Sequence, residues 1–248
     1  MALFRTEGLV LRVRAFGEAD KIITLLTPER GKIEAVAKGA RRPRNRFLGS
    51  TQLFSHLNMM LFGGKGLAQM NQAEIIHSFH LLRDDLLKMA YASYWCELSD
   101  GLLPEAEPEP EVFALLLQAF SLLETVDKPD LLSRGVELKL LAELGYLPVL
   151  GHCVGCEAIA AAPLHFSAVA GGVVGTCCRQ RFPDALPVTG AAIKAMAVML
   201  GTDLAGYGAF SASPELRQEI CGILRRFIEV RMEKPLRSLA FLQGIEDL

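Results

Sequence analysis

The 248-residue chain has few of the residues that carry catalysis and no stretch suited to a bilayer. Its five histidines are scattered, no Ser/His/Asp set can be assembled, and no Walker-type phosphate loop occurs, so an enzyme is not expected. The longest uncharged run, Ala158 to Cys178, is interrupted by Pro163, His165, Gly171, Gly172 and Gly175, which no membrane-spanning helix would tolerate. The opening Met1-Ala2-Leu3-Phe4-Arg5 lacks a basic start followed by an apolar stretch, so a cytoplasmic protein without a secretory signal is expected. Six cysteines without such a signal suggest free thiols or metal rather than disulfides. With 51% hydrophobic residues the chain is not disordered, and its length suits two or three small domains.

Charge is present but unevenly placed. Residues 1–80 hold twelve Lys and Arg against six Asp and Glu, while the remainder holds fourteen against twenty-two, although the formal net charge is only −2. The excess peaks in Lys38-Gly39-Ala40-Arg41-Arg42-Pro43-Arg44-Asn45-Arg46, five cations in nine residues. Clustered Arg and Lys with Gly and Pro, held between strands, suit the repeating phosphates of DNA or RNA. The predicted backbone contacts are Lys38, Arg41, Arg42, Arg44 and Arg46, with Arg12 and Arg14 as outer candidates on a wet strand face. Rings for stacking are few: Phe47 and Phe54 are nearby, and Phe54 suits the core equally well.

Alternation predicts strands over Gly8 to Arg14, Lys21 to Thr27, Lys32 to Lys38, Leu53 to Leu61 and Leu67 to Ile76, with turns at Glu29-Arg30-Gly31 and at Phe62-Gly63-Gly64-Lys65-Gly66. Five strands in about eighty residues fit a small closed barrel, of either OB or SH3-like kind. From about Ile76 the period becomes helical, with Phe79, Leu82, Leu86, Leu87, Ala90, Tyr94 and Leu98 on one face. The acidic, proline-rich Pro104 to Glu111 precedes a helix over Val112 to Leu123, and a further helix runs from Leu131 to Leu144. Ala191 to Leu200 is helical, and Ser213-Pro214 caps a last long helix.

Cys153-Val154-Gly155-Cys156 has the spacing of half a zinc knuckle. The adjacent Cys177 and Cys178 form a poor second half, because neighbours in extended chain point opposite ways. One of this pair with His152 or His165 is an alternative ligand set, and a metal-free remnant of a knuckle is another reading.

The segments Thr6-Glu7-Gly8-Leu9-Val10-Leu11, Gly17-Glu18-Ala19-Asp20, Ala37-Lys38-Gly39-Ala40-Arg41-Arg42-Pro43 and Leu144-Gly145-Tyr146-Leu147-Pro148 before Cys153-x-x-Cys156 resemble the RecO family of bacterial recombination mediators. The resemblance implies an α+β multi-domain protein. A five-stranded OB-fold barrel (residues 1–78) would precede an α-helical domain (79–150 and 184–248) with a zinc-ribbon-like insertion (151–183). It also implies a non-catalytic DNA repair protein of the bacterial cytoplasm and nucleoid. Such a protein binds single- and double-stranded DNA, anneals complementary strands and, with RecR, helps load RecA onto strands coated by single-stranded-DNA-binding protein (SSB). Arg134, and Lys139 near it, would then contact the acidic SSB tail, and one structural Zn2+ would be bound by Cys153, Cys156 and Cys178, with Cys177 nearby. The family's second cysteine pair is spaced Cys-x-x-Cys, so here its first ligand is expected to be missing. A generic nucleic-acid adaptor in RNA metabolism or transcription, built on the same barrel, is the alternative.

Overall fold

In a computed structural model, described over residues 2–63, 66–127 and 129–246, the first five strands are β1 (Ala2–Phe16), β2 (Asp20–Thr27), β3 (Gly31–Ala37), β4 (His56–Gly63) and β5 (Ala68–His77). They close into a barrel in the order β1-β2-β3-β5-β4, with β1 antiparallel to β4 and a short parallel seam joining β3 to β5 at Ala35 and Val36. This is the OB topology, and it decides between the two barrels that the strand count allowed. Gly64 and Lys65, in the predicted turn between β4 and β5, lie outside the described residues.

The barrel interior is filled by Val10, Ile23, Leu25, Ala35, Ala37, Leu57, Met59, Leu61 and Met70, joined by Phe47 from the long β3–β4 connection. Simple alternation fails on β1. A register shift between Val10 and Arg12 places Leu9, Val10 and Leu11 all under cover, because a bulge turns successive side chains off the strict period of two.

The helical run expected after the barrel is two helices, α1 (His80–Asp84) and α2 (Leu86–Leu102). Asp85 breaks them: its backbone is extended, and its carboxylate accepts the amide of Lys88 as an N-cap. The next helices are α3 (Pro110–Thr125) and α4 (Pro129–Glu143), and, after the cysteine region, α5 (Gly190–Gly201) and α6 (Pro214–Glu229). Ser213 caps α6 and Pro214 opens it, as expected. A seventh helix, α7 (Arg237–Glu246), was not anticipated. Its first amides, those of Arg237 and Ser238, donate to the Glu97 carboxylate of α2 at 3.1 and 2.7 Å.

The chain divides into two compact units, residues 1–125 with 236–248, and residues 126–235. The division crosses the stretch expected to be one helical domain, because α7 returns to α2. In the first unit, Trp95, Phe79 and Phe54 gather around Phe120 in a buried ring cluster, each with its centroid 5.5–6.2 Å from that of Phe120. In the second, β6 (Leu164–Ser167), β7 (Gly172–Val174) and β8 (Leu186–Val188) form a small sheet ordered β7-β6-β8.

Gly31 opens β3 with φ +62°, and an added Cβ would lie 1.7 Å from the Glu107 carbonyl oxygen. Gly31→Ala is therefore expected to destabilise the first unit by at least about 2 kcal/mol, read as a lower urea midpoint of the fluorescence of Trp95, the chain's sole tryptophan.

Candidate nucleic-acid interface and metal centre

The basic run forms the first half of an eighteen-residue connection, 38–55, built from nested turns. Gly39 and Arg44 adopt positive φ, 68° and 63°, where the chain reverses. The amides of Arg42, Asn45 and Leu48 donate in turn to the carbonyls of Gly39, Arg42 and Asn45 at 2.9–3.2 Å. Two aromatic anchors secure the connection. Phe47 enters the barrel core and Phe54 the ring cluster, so neither ring suggested for base stacking is available for it: they are 4% and 0% exposed.

The connection is also tied to the β1–β2 hairpin. The amide and guanidinium of Arg41 donate to the carbonyls of Ala19 (2.9 Å) and Gly17 (3.1 Å), and the Gly39 amide donates to Asp20 Oδ1 at 2.7 Å. Lys21 Nζ donates to the Thr51 carbonyl at 3.2 Å and to its hydroxyl at 3.1 Å. Burial, and then the charge of Arg41, lower the Lys21 pKa, a sign of the positive field here.

Lys38, Arg41, Arg42, Arg44 and Arg46 are all exposed, and among the described residues none of them has a carboxylate within ion-pair distance. Arg46 is directed by a hydrogen bond to the Asn71 carbonyl (2.7 Å) and lies over the Phe47 ring. Arg12 and Arg14 differ. Both pair with Glu34, at 3.4 and 3.1 Å, and Arg12 also meets Asp100 at 3.3 Å. The outer strand-face pair thus faces carboxylates, with about half of each side chain still exposed.

The four cysteines meet more fully than their spacing suggested. The Sγ atoms of Cys153, Cys156, Cys177 and Cys178 all lie within 4.8 Å of one another, with Cys156–Cys177 at 3.5 Å and Cys177–Cys178 at 3.7 Å. A tetrahedral ion with metal–sulfur bonds of about 2.3 Å needs sulfurs about 3.8 Å apart, so the donor set fits one ion. The expectation that adjacent cysteines diverge is corrected because Thr176–Arg181 is a 3-10 turn rather than extended chain. Neither His152 nor His165 belongs to the cluster.

Glycines make room around the sulfurs. A Cβ on Gly155 would lie 2.9 Å from Cys178 Sγ, and the amides of Gly155 and Gly175 donate to Cys153 Sγ at 3.4 and 3.3 Å. Burial pushes the Cys153 thiol up, but those two amides and the neighbouring thiols outweigh it and bring the thiol down to about 7. Cys178 is pushed up to about 12 by its hydrogen bond with Cys156 and by burial.

Comparison with known proteins accounts for nearly the whole chain. The family described as Recombination protein O N terminal matches residues 1–79, and Recombination protein O C terminal matches residues 83–240. The chain belongs to the RecO family. It is 45% identical over 249 residues to the DNA repair protein RecO of Symbiobacterium thermophilum, covering 99% of this chain and 98% of that protein. Its identity to the RecO proteins of Pelotomaculum thermopropionicum and Heliobacterium modesticaldum is 37% and 36%, covering 98% and 99% of this chain and 94% and 91% of theirs.

The tail-binding cations expected from RecO resemblance fare differently. Arg134 is 6% exposed, and its guanidinium meets the buried Glu137 at 2.7 Å and Cys221 Sγ at 3.0 Å, so its charge is used internally. That expectation is corrected. Lys139 is half-buried and donates to the Leu200 carbonyl at 3.4 Å. Sequence reading missed Lys21, which ties the β1–β2 hairpin to the connection through Thr51 and whose only signal was its place near the start of β2.

Titrated with Co2+, the chain is expected to take up one ion with the absorption of tetrahedral thiolate ligation. Lowering the pH from 8 to 6 protonates Cys153 as it passes its pKa near 7, so affinity falls as protons compete. An affinity indifferent to pH in a chelator competition would contradict thiolate binding.

Proposed function

We propose that this chain is a DNA repair and recombination mediator that grips DNA by its phosphates, brings complementary single strands together and, with RecR, helps load RecA onto strands coated by SSB. The observation that supports it most directly is the set of five exposed loop cations, none with a carboxylate partner among the described residues. Unmatched cations on the loop take the place of cations condensed on the nucleic acid and release them. They read no sequence, because phosphate contacts set position while leaving base edges free.

Annealing follows from the same charges. Two strands repel one another, and a loop that neutralises phosphates on each lowers that repulsion without covering the faces that pair. Single- and double-stranded DNA both supply phosphates, so both bind. No covalent step is required, and the protein works without catalysis in the bacterial cytoplasm at the nucleoid. The acidic SSB tail is a partner, with Lys139 as its remaining candidate cation. The four thiolates hold one structural Zn2+ that fixes the loops around β6 and β7.

Replacing Arg41, Arg42 and Arg44 together by alanine is expected to weaken binding to all sequences alike. The slope of log K against log salt should become shallower by about two for single strands. The same variant should slow annealing of strands coated with SSB, whereas Arg12→Ala with Arg14→Ala should change the slope less. An unchanged slope in the triple variant, measured by fluorescence anisotropy, would count against the phosphate-binding loop.

A further inference from the structure

Among the described residues, the exposed aromatic side chains are Phe16, Phe62, Tyr146 and Phe241. Phe16 adjoins the basic loop through the β1–β2 hairpin. It is the last residue of β1, opposite Asp20, and is 47% exposed. The next residue, Gly17, gives its carbonyl to the Arg41 guanidinium, and Ala19, Asp20 and Lys21 are each bonded into the 38–55 connection. The ring thus stands on a hairpin held at four points to the cationic loop.

The charge around it is favourable. Asp20 is occupied by the Gly39 amide, which leaves Glu18 as the hairpin's exposed carboxylate against five exposed loop cations. A strand whose phosphates lay along that loop would run beside the hairpin that carries the ring. In a duplex the base faces are stacked on one another and are closed to it. In a single strand each base has a free face, and stacking on an aromatic ring is tolerant of sequence.

We infer that Phe16 is a stacking platform for an unpaired nucleobase, so that the loop supplies attraction for any polyanion and the ring supplies preference for single strands. The inference rests on the phosphate-binding reading of the loop and deepens it. A pre-positioned ring loses little freedom on binding, and its place at a strand end leaves the barrel core untouched when it is changed.

Two variants test it. Phe16→Ala should reduce affinity for a single-stranded oligonucleotide about tenfold, reduce affinity for the matching duplex less than twofold and leave the salt slope as it was. Phe16→Leu should share the defect, since bulk without a π-face does not stack. Phe16→Trp should retain affinity, and its emission should be quenched by the single strand and much less by the duplex, over a background from Trp95, which is 0% exposed. An unchanged ratio of single-strand to duplex affinity in Phe16→Ala, or equal quenching of Phe16→Trp by both, would overturn the inference. Binding by an unrelated protein partner at the ring would show as those same unchanged DNA readouts. Failure of the loop reading is separate: it appears as an unchanged salt slope in the triple arginine variant, whatever the ring does.

Discussion

Five positive charges within nine residues repel one another, and the fold must hold them together before any polyanion arrives. The restraint is apolar. Phe47 is sunk in the barrel and Phe54 in the ring cluster, and between and before them a succession of turn hydrogen bonds fixes the backbone. Exposed pairs of like charge cost little individually in water, so two buried aromatic side chains and a few backbone bonds suffice. The binding surface thus depends on the same hydrophobic burial that stabilises the barrel.

The contrast among cations is informative. Lys32 reaches the carboxylates of Asp100 and Glu105, Arg12 and Arg14 share Glu34, and Arg134 is matched to Glu137 in the second unit. These charges are spent on the fold. The loop cations have no such partners among the described residues, and formal net charge conceals this because it counts both kinds alike. A cation already paired with a carboxylate offers less new energy to a phosphate than an unpaired one, so the location of unmatched charge says more about a nucleic-acid surface than its total.

Much of this was legible in the sequence where local pattern governs. The five barrel strands announced themselves by alternation and the turn glycines, apart from the bulge in β1, and α6 by Ser213-Pro214, because those signals act between near neighbours; the short β6, β7 and β8 did not. Sequence pattern failed where distant residues decide. The break at Asp85 is masked by apolar spacing that continues across it, α7 is capped by a carboxylate 140 residues away, and the burial of Arg134 depends on packing around Glu137. Cys177 and Cys178 looked incompatible because extended geometry was assumed, and a tight 3-10 turn overturns that assumption.

The seam of the barrel has a further consequence. Among the described residues β3 pairs with β5 at Ala35 and Val36, and near its start Lys32 is bridged by Glu105, while the Ala106 amide donates to the Lys32 carbonyl at 3.1 Å. Leu9 and Leu26, paired across β1 and β2, are fully buried although Val10 and Leu25 already fill the interior. The barrel is thus closed in part by residues that follow it in the chain. Cutting the polypeptide at residue 79, where the N-terminal family match ends, would bare a strand edge together with greasy outer surface, the combination that invites edge-to-edge aggregation. The boundary between the two RecO family matches therefore falls inside one compact unit, where residues that follow the barrel cover part of it.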